Sequence, residues 1–178
     1  MKTLNSLKVI KANTKVLTFM LINIFLLTCG LTFGQKPNYA GDWTLNEGKS
    51  QMGEGRGRMA ASKIKISQDA IAITLERTSK RQTGEEFTSK EIITLDGQPC
   101  ENTIFENRTR KSTANWSADG KSLIINSTSV FERDGNKTEM KGVEIFKISD
   151  DGNALSIDVT SSSPRGERKQ TLAYDKVK

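Results

Sequence analysis

Lys63-Ile64-Lys65-Ile66-Ser67-Gln68-Asp69-Ala70-Ile71-Ala72-Ile73-Thr74-Leu75-Glu76 is the stretch that decides the fold of this chain. Ile64 and Ile66 alternate with Lys63 and Lys65. Ile71, Ile73 and Leu75 alternate with Ala72, Thr74 and Glu76. Successive side chains of a strand leave opposite faces of the sheet, so a period of two marks strands with one buried face. The polar break at Ser67-Gln68-Asp69 is short enough for a hairpin. The same signature continues downstream: Leu123 and Ile125, Val143 and Ile145, Leu155 with Ile157 and Val159, and Leu172 with Tyr174 each skip one position.

Turn chemistry separates these runs. Asp96-Gly97, Asp119-Gly120, Asp134-Gly135 and Asp151-Gly152 are four Asp-Gly pairs, and Pro164-Arg165-Gly166 is a fifth turn. Glycine takes the positive φ that tight turns need, and aspartate tolerates it. The spacing predicts about ten strands, near 39–45, 62–67, 70–78, 85–95, 102–106, 110–117, 121–131, 138–149, 153–162 and 167–176. No long helical pattern intervenes. The expected fold is all-β, an antiparallel up-and-down meander, and closure into a barrel removes the edges that such a sheet would expose. The segment Asn46 to Arg58, with Gly48, Gly53, Gly55 and Gly57, reads as a loop or short capping turn between the first two strands. It lacks the ending and context of a phosphate-binding loop.

Residues 1–34 are of another kind. Lys2, Lys8, Lys11 and Lys15 precede an apolar run from Val16 to Gly34 that holds no acidic residue. A basic head, an apolar middle and a small-residue exit make a secretory signal peptide, with cleavage expected after Gly34. The domain is then 35–178, expected in the periplasm or secreted, with no stable membrane span after cleavage. The rival is lipid attachment at Cys29 in Leu26-Leu27-Thr28-Cys29-Gly30, which would anchor the chain to the envelope. The net charge of +6 falls to about +2 without the four leading lysines. That balance leaves no basic footprint for nucleic acid. Cys100 then has no intramolecular disulfide partner and reads as a structural thiol.

Catalytic chemistry is sparse. The chain contains 0 histidines, which removes Ser-His-Asp and Cys-His catalysis and the commonest zinc sites. Glu85-Glu86 and Asp150-Asp151 are adjacent, so on a strand they face opposite sides. Neither an enzyme nor a cofactor nor a metal is expected, and the oligomeric state is left open.

Tyr39-Ala-Gly41-Asp-Trp43-Thr-Leu45-Asn46 resembles the opening strand of the calycins, the lipocalins and fatty-acid-binding proteins. That resemblance implies that Gly41 and Trp43 close one barrel end, with a basic residue over the indole; Lys176 is the candidate and Arg168 the alternative. The ordered set Gly41, Trp43, Leu45, Asn46, Lys49, Ser50, then Leu95 to Gly97, Trp116, Asp119-Gly120, Ser149 to Gly152, and Tyr174 with Lys176 is similar to small secreted lipocalin-like proteins of Gram-negative bacteria. The Arg-x-Tyr pair with which fatty-acid-binding proteins hold a carboxylate is absent: Leu172 stands where the arginine would. Closed barrels of this size hold one small ligand, so the expected function is binding a small, largely apolar molecule. The expected lining is Ile73, Leu75, Ile93, Leu123, Ile125, Ile145 and Ile157. The alternative is a packed barrel of the cell envelope that acts through its loops or strand edges.

Overall fold

The computed structural model describes residues 36–52, 60–81, 83–105, 108–133, 136–164 and 166–178. Residues 1–35 with Cys29, the glycines 53, 55 and 57, Asp134-Gly135 and the side chain of Phe131 lie outside the described residues. Ten strands are described: β1 Gly41–Leu45, β2 Lys63–Gln68, β3 Ala72–Lys80, β4 Glu86–Thr94, β5 Cys100–Phe105, β6 Arg108–Trp116, β7 Leu123–Arg133, β8 Asn136–Ile148, β9 Ala154–Ser163 and β10 Gly166–Lys176. They form one antiparallel sheet in the order β4-β3-β2-β1-β10-β9-β8-β7-β6-β5. Sequence neighbours other than β4 and β5 pair as in a meander, and β1 zips onto β10 with Trp43 opposite Lys176 and Leu45 opposite Tyr174. This is the ten-strand up-and-down barrel that the alternation predicts. Among the described residues no helix is long and apolar enough to cross a membrane.

The barrel has two different ends. At the base, three turns share one device. Thr94, Ser117 and Ser149 each donate their hydroxyl to the aspartate two residues on, Asp96, Asp119 and Asp151. That carboxylate then accepts the backbone N–H of Gln98, Lys121 or Asn153. Gly97, Gly120 and Gly152 follow with φ of 79°, 69° and 70°, where a side chain would be strained. The Ser149 hydroxyl and then Asn153 hold Asp151 down at about 2.

Just past β1, Asn46 caps a short 3₁₀ helix over Glu47–Lys49. Its amide donates to Asp175 at 2.6 Å, Lys49 pairs with Asp175 at 3.1 Å, and the Ser50 hydroxyl accepts from Ala173 N–H at 3.0 Å. These contacts give the Asn46, Lys49 and Ser50 motif a physical reason: it ties the first connection down onto the last strand.

Two calls from the alternation need correcting. Ile71, grouped with Ile73 and Leu75, sits in the β2–β3 turn and is 73% exposed, because Asp69 accepts from the N–H groups of Ile71 and Ala72 and so starts β3 one residue later. Tyr39, placed in the first strand, precedes β1, yet its ring is fully buried.

No backbone ladder joins β4 to β5 among the described residues. Side chains close that seam instead. The Asn102 carboxamide accepts from Ile92 N–H at 2.9 Å and donates to Ile92 C=O at 3.0 Å, so it imitates a peptide group of the missing ladder. Cys100 Sγ accepts from Thr94 N–H at 3.3 Å toward the base. Toward the mouth, Phe87 and Phe105 meet edge to face at 5.6 Å, with the Arg81 guanidinium 4.9 Å from the Phe105 ring centre. Cys100 is thus a seam residue. Replacing Asn102 by Asp removes the donor and sets a carboxylate against the Ile92 carbonyl. The expected cost is about 1–3 kcal/mol in urea unfolding, with faster amide exchange at Ile92; unchanged stability would show that the seam closes without this contact.

Candidate functional site

The base of the barrel is plugged from below. Trp43, fully buried, donates its indole N–H to Tyr39 C=O at 3.0 Å. Lys176 Nζ lies 5.3 Å from the indole centre, a cation–π contact of about 0.5–2 kcal/mol. Gly41 makes room for it: φ is 145°, and a Cβ at this position would come within 2.9 Å of Lys176 Cε. Arg168 lies in the mouth half of β10 and is exposed, so Lys176 is the residue over the indole. The Tyr39 hydroxyl donates to Phe146 C=O at 2.9 Å and accepts from Leu123 N–H at 3.2 Å, spanning β7 and β8. Burial pushes its pKa up to about 12.

Above this plug lies the apolar core. Ile73, Leu75, Ile93, Leu123, Ile125 and Ile157 are all between 0% and 2% exposed and pack with Trp43, Phe146 and Leu155. They form the floor of the interior. Ile145 does not join them. It sits opposite Ile124 and Asp158 on the outer face, while Phe146 points inward beside Leu123. The Val143/Ile145 alternation is real, but it belongs to the outside of β8.

The interior register continues upward from that floor into charge. On β3 the positions after Ile73 and Leu75 are Arg77 and Ser79; on β4 the position before Ile93 is Glu91; on β6 the position two before Ser112 is Arg110; on β8 the position two before Phe146 is Glu144. These four side chains meet inside the barrel as a closed ring. Arg77 Nη1 donates to Glu91 Oε1 at 2.6 Å and Arg77 Nη2 to Glu144 Oε2 at 2.5 Å. Arg110 Nη1 donates to Glu91 Oε1 at 3.1 Å and Arg110 Nη2 to Glu144 Oε1 at 2.7 Å. The side chains are 14%, 2%, 15% and 12% exposed for Arg77, Glu91, Arg110 and Glu144. Ser127 accepts from Arg110 Nη2 at 2.9 Å, and a Cβ on Gly142 would fall 2.9 Å from that same hydroxyl. Below, Tyr174 donates to Ala61 C=O at 3.1 Å, and burial drives its pKa well above the ordinary tyrosine value.

Burial alone would raise the pKa of Glu144. The guanidiniums of Arg77 and Arg110 outweigh it and hold Glu144 at about 2. Arg110 is likewise opposed by burial but held above its ordinary value by Glu144 and Glu91. Glu144 is therefore ionised at physiological pH and does not trade protons there. Among the described residues no group of three or more His, Cys, Asp or Glu is placed to hold a metal ion.

Sequence reasoning missed all four ring residues because charged positions were read as solvated. The signal was present: extending the Ile73–Leu75 and Ile93 register by two residues reaches Arg77 and Glu91.

No protein-family model matches the sequence, and no curated protein matches it. Among solved structures, the chain is similar to the zebrafish ileal bile acid-binding protein complexed with cholic acid, at 18% identity and a TM-score of 0.46 over 78% of this chain and 98% of that one.

Glu144 makes the stability of the fold depend on acid pH. Glu144 is depressed from 4.5 to about 2, so its stabilisation is fully present above about pH 4.5 and is lost as pH falls toward 2. Glu144→Gln removes one of the two carboxylate charges that face Arg77 and Arg110, leaves the interior with an uncompensated positive charge, and is expected to cost about 3–5 kcal/mol at pH 7. It should also flatten the fall in stability between pH 4.5 and 2, read by chemical denaturation across that range. An unchanged acid slope would remove Glu144 as its cause.

Proposed function

We propose that this barrel binds a small, largely apolar molecule in the mouth half of its interior, with the charged ring as its floor. One observation carries the reading. The interior changes character at the ring: below it the side chains are buried and apolar, whereas above it Ser127, Ser129, Met140, Gly142, Val159 and Ser161 face inward and stay partly exposed. Protein interiors fill their space closely. Small serine and glycine side chains leave the partly exposed wall of that half low, and Met140, Val159 and Phe87 supply its apolar part. The ligand so proposed meets the mouth-half residues, and the isoleucines of the base act as structural floor.

The rival is an envelope protein with a packed barrel that works through its loops or edges. The fully buried base favours it, and the two readings separate at the mouth half alone. Ser161→Trp fills that half from the strand position opposite Gly142. If a ligand enters, the purified protein takes up an apolar fluorescent dye, and Ser161→Trp weakens that uptake by at least about tenfold, or 1.4 kcal/mol, with little change in melting temperature. No uptake by the native chain would transfer the assignment to the packed barrel.

We also propose that the chain is exported and that residues 1–34 are removed. The basic head and the acid-free apolar run support this reading. The intact mass of protein purified from its own host should correspond to a chain starting at Gln35. A mass with acyl chains on Cys29 would replace secretion by anchoring, and a full-length mass would remove export.

A further inference from the structure

Residues 36–39 are fastened to the base of the barrel one after another. Lys36 Nζ lies 5.2 Å from the centre of the Trp116 ring. Pro37 C=O accepts from Gln68 Nε2 at 3.1 Å, and Tyr39 N–H donates to Gln68 Oε1 at 3.0 Å, so one side chain at the end of β2 holds both. Asn38 Oδ1 accepts from Ala40 N–H at 2.9 Å. The Tyr39 ring then stacks on Trp116 at 6.2 Å and meets Phe146 edge to face at 6.0 Å. The two residues that precede this anchored segment in the sequence are Gly34 and Gln35.

Resting on the export proposed above, we infer that Gln35, once it is the first residue, is converted to pyroglutamate, so that the exported protein begins with an uncharged lactam. Removal of residues 1–34 leaves a glutamine whose own α-amine and side-chain amide are spaced for a five-membered ring. The lone pair of the α-nitrogen attacks Cδ and the N–Cδ bond closes the ring. The side-chain nitrogen leaves as ammonia, taking the proton that the α-amine gives up. The step needs no oxidant, reductant or co-reactant. An α-amine has an ordinary pKa of about 7.7–8.0, so a fraction of it carries a free lone pair at neutral pH. The local charge favours the product. A free terminus sets an ammonium one residue from Lys36, whose own ammonium already occupies the Trp116 face, and Lys176 is a further cation at the same end, over Trp43. Like charges at such spacing repel, and a terminal block removes one of them. The lactam also offers no amine to an aminopeptidase. A cut one residue later exposes Lys36, which has no side-chain amide to close the ring.

The test uses the protein purified from its own host and measured at once. Its intact mass is expected about 17 Da, one ammonia, below that of a chain beginning with unmodified Gln35. A succinimidyl ester applied near neutral pH, where α-amines react ahead of lysines because their pKa is lower, should leave the N-terminal peptide unlabelled at its α-nitrogen. Pyroglutamyl aminopeptidase, acting on the unfolded chain, should then expose a terminus at Lys36 that takes the label. Gln35→Ala made in the same host should carry a free, fully labelled amine. Should that variant not be exported, the native mass and labelling decide alone. A chain that begins at Gln35 with its full mass and a labelled amine, one that loses ammonia only on storage, or a blocked Gln35→Ala terminus would each overturn the lactam and leave export standing. A native terminus at Lys36, at an acylated Cys29 or at Met1 would overturn the lactam together with cleavage after Gly34.

Discussion

The ring formed by Arg77, Glu91, Arg110 and Glu144 is the interaction on which the rest of this barrel depends. Its members come from β3, β4, β6 and β8, on both sides of the one seam that has no backbone ladder. The sheet around the outside is continuous from β4 through β1 and β10 to β5, and the last gap is bridged from within by charge as well as at the wall by Asn102. Buried ion pairs seldom add net stability, because desolvation offsets most of their attraction. Here the pairs act chiefly as a constraint: removing any one member strands a charge in the interior, so the four strands hold a single relative position.

The same ring divides the interior into two compartments with different physics. Beneath it the packing is that of a small protein core, fixed by Trp43, Tyr39 and Phe146 and sealed by Lys176 over the indole. Above it serines and a glycine line the wall, and a Cβ at Gly142 would press on the hydroxyl of Ser127 that steadies Arg110. A partly exposed half lined by small polar side chains and a packed apolar half thus share one barrel, stacked end to end. The boundary between them is polar, which confines what is proposed to enter to the upper compartment.

The fold was legible because period-two alternation and Asp-Gly turns are local signals. Ten strands follow from ten runs, and the three Ser/Thr-x-Asp-Gly turns at the base report their own hydrogen bonds in their spelling. Trp43 and Lys176 were legible through a resemblance in the first and last strands. The ring was not, for two physical reasons. A buried charge is tolerable only with a partner, and partners contributed by different strands are invisible to any local pattern. On β8, moreover, both faces carry apolar residues, so Val143 and Ile145 compete with Phe146 for the inward assignment, and a one-residue slip exchanges the faces. Choosing Phe146 would have led two residues back to Glu144. Asn102 and Cys100 were illegible for a related cause: the need for a seam residue exists only once the barrel has closed.

The pairing of β1 with β10 has a consequence for the order of events during folding. Each internal hairpin joins neighbours in the chain and needs only short loops to close. The contacts that complete the barrel, Trp43 against Lys176 and Asn46 against Asp175, join its first and last segments. Contacts so distant in sequence are formed late, because the loop entropy must be given up before they reward it. Until the final strand arrives, β1 and β2 present an unpaired edge and an unplugged indole. A chain whose last strand is still unmade is therefore an open sheet, and becomes a barrel only when that strand pairs with β1.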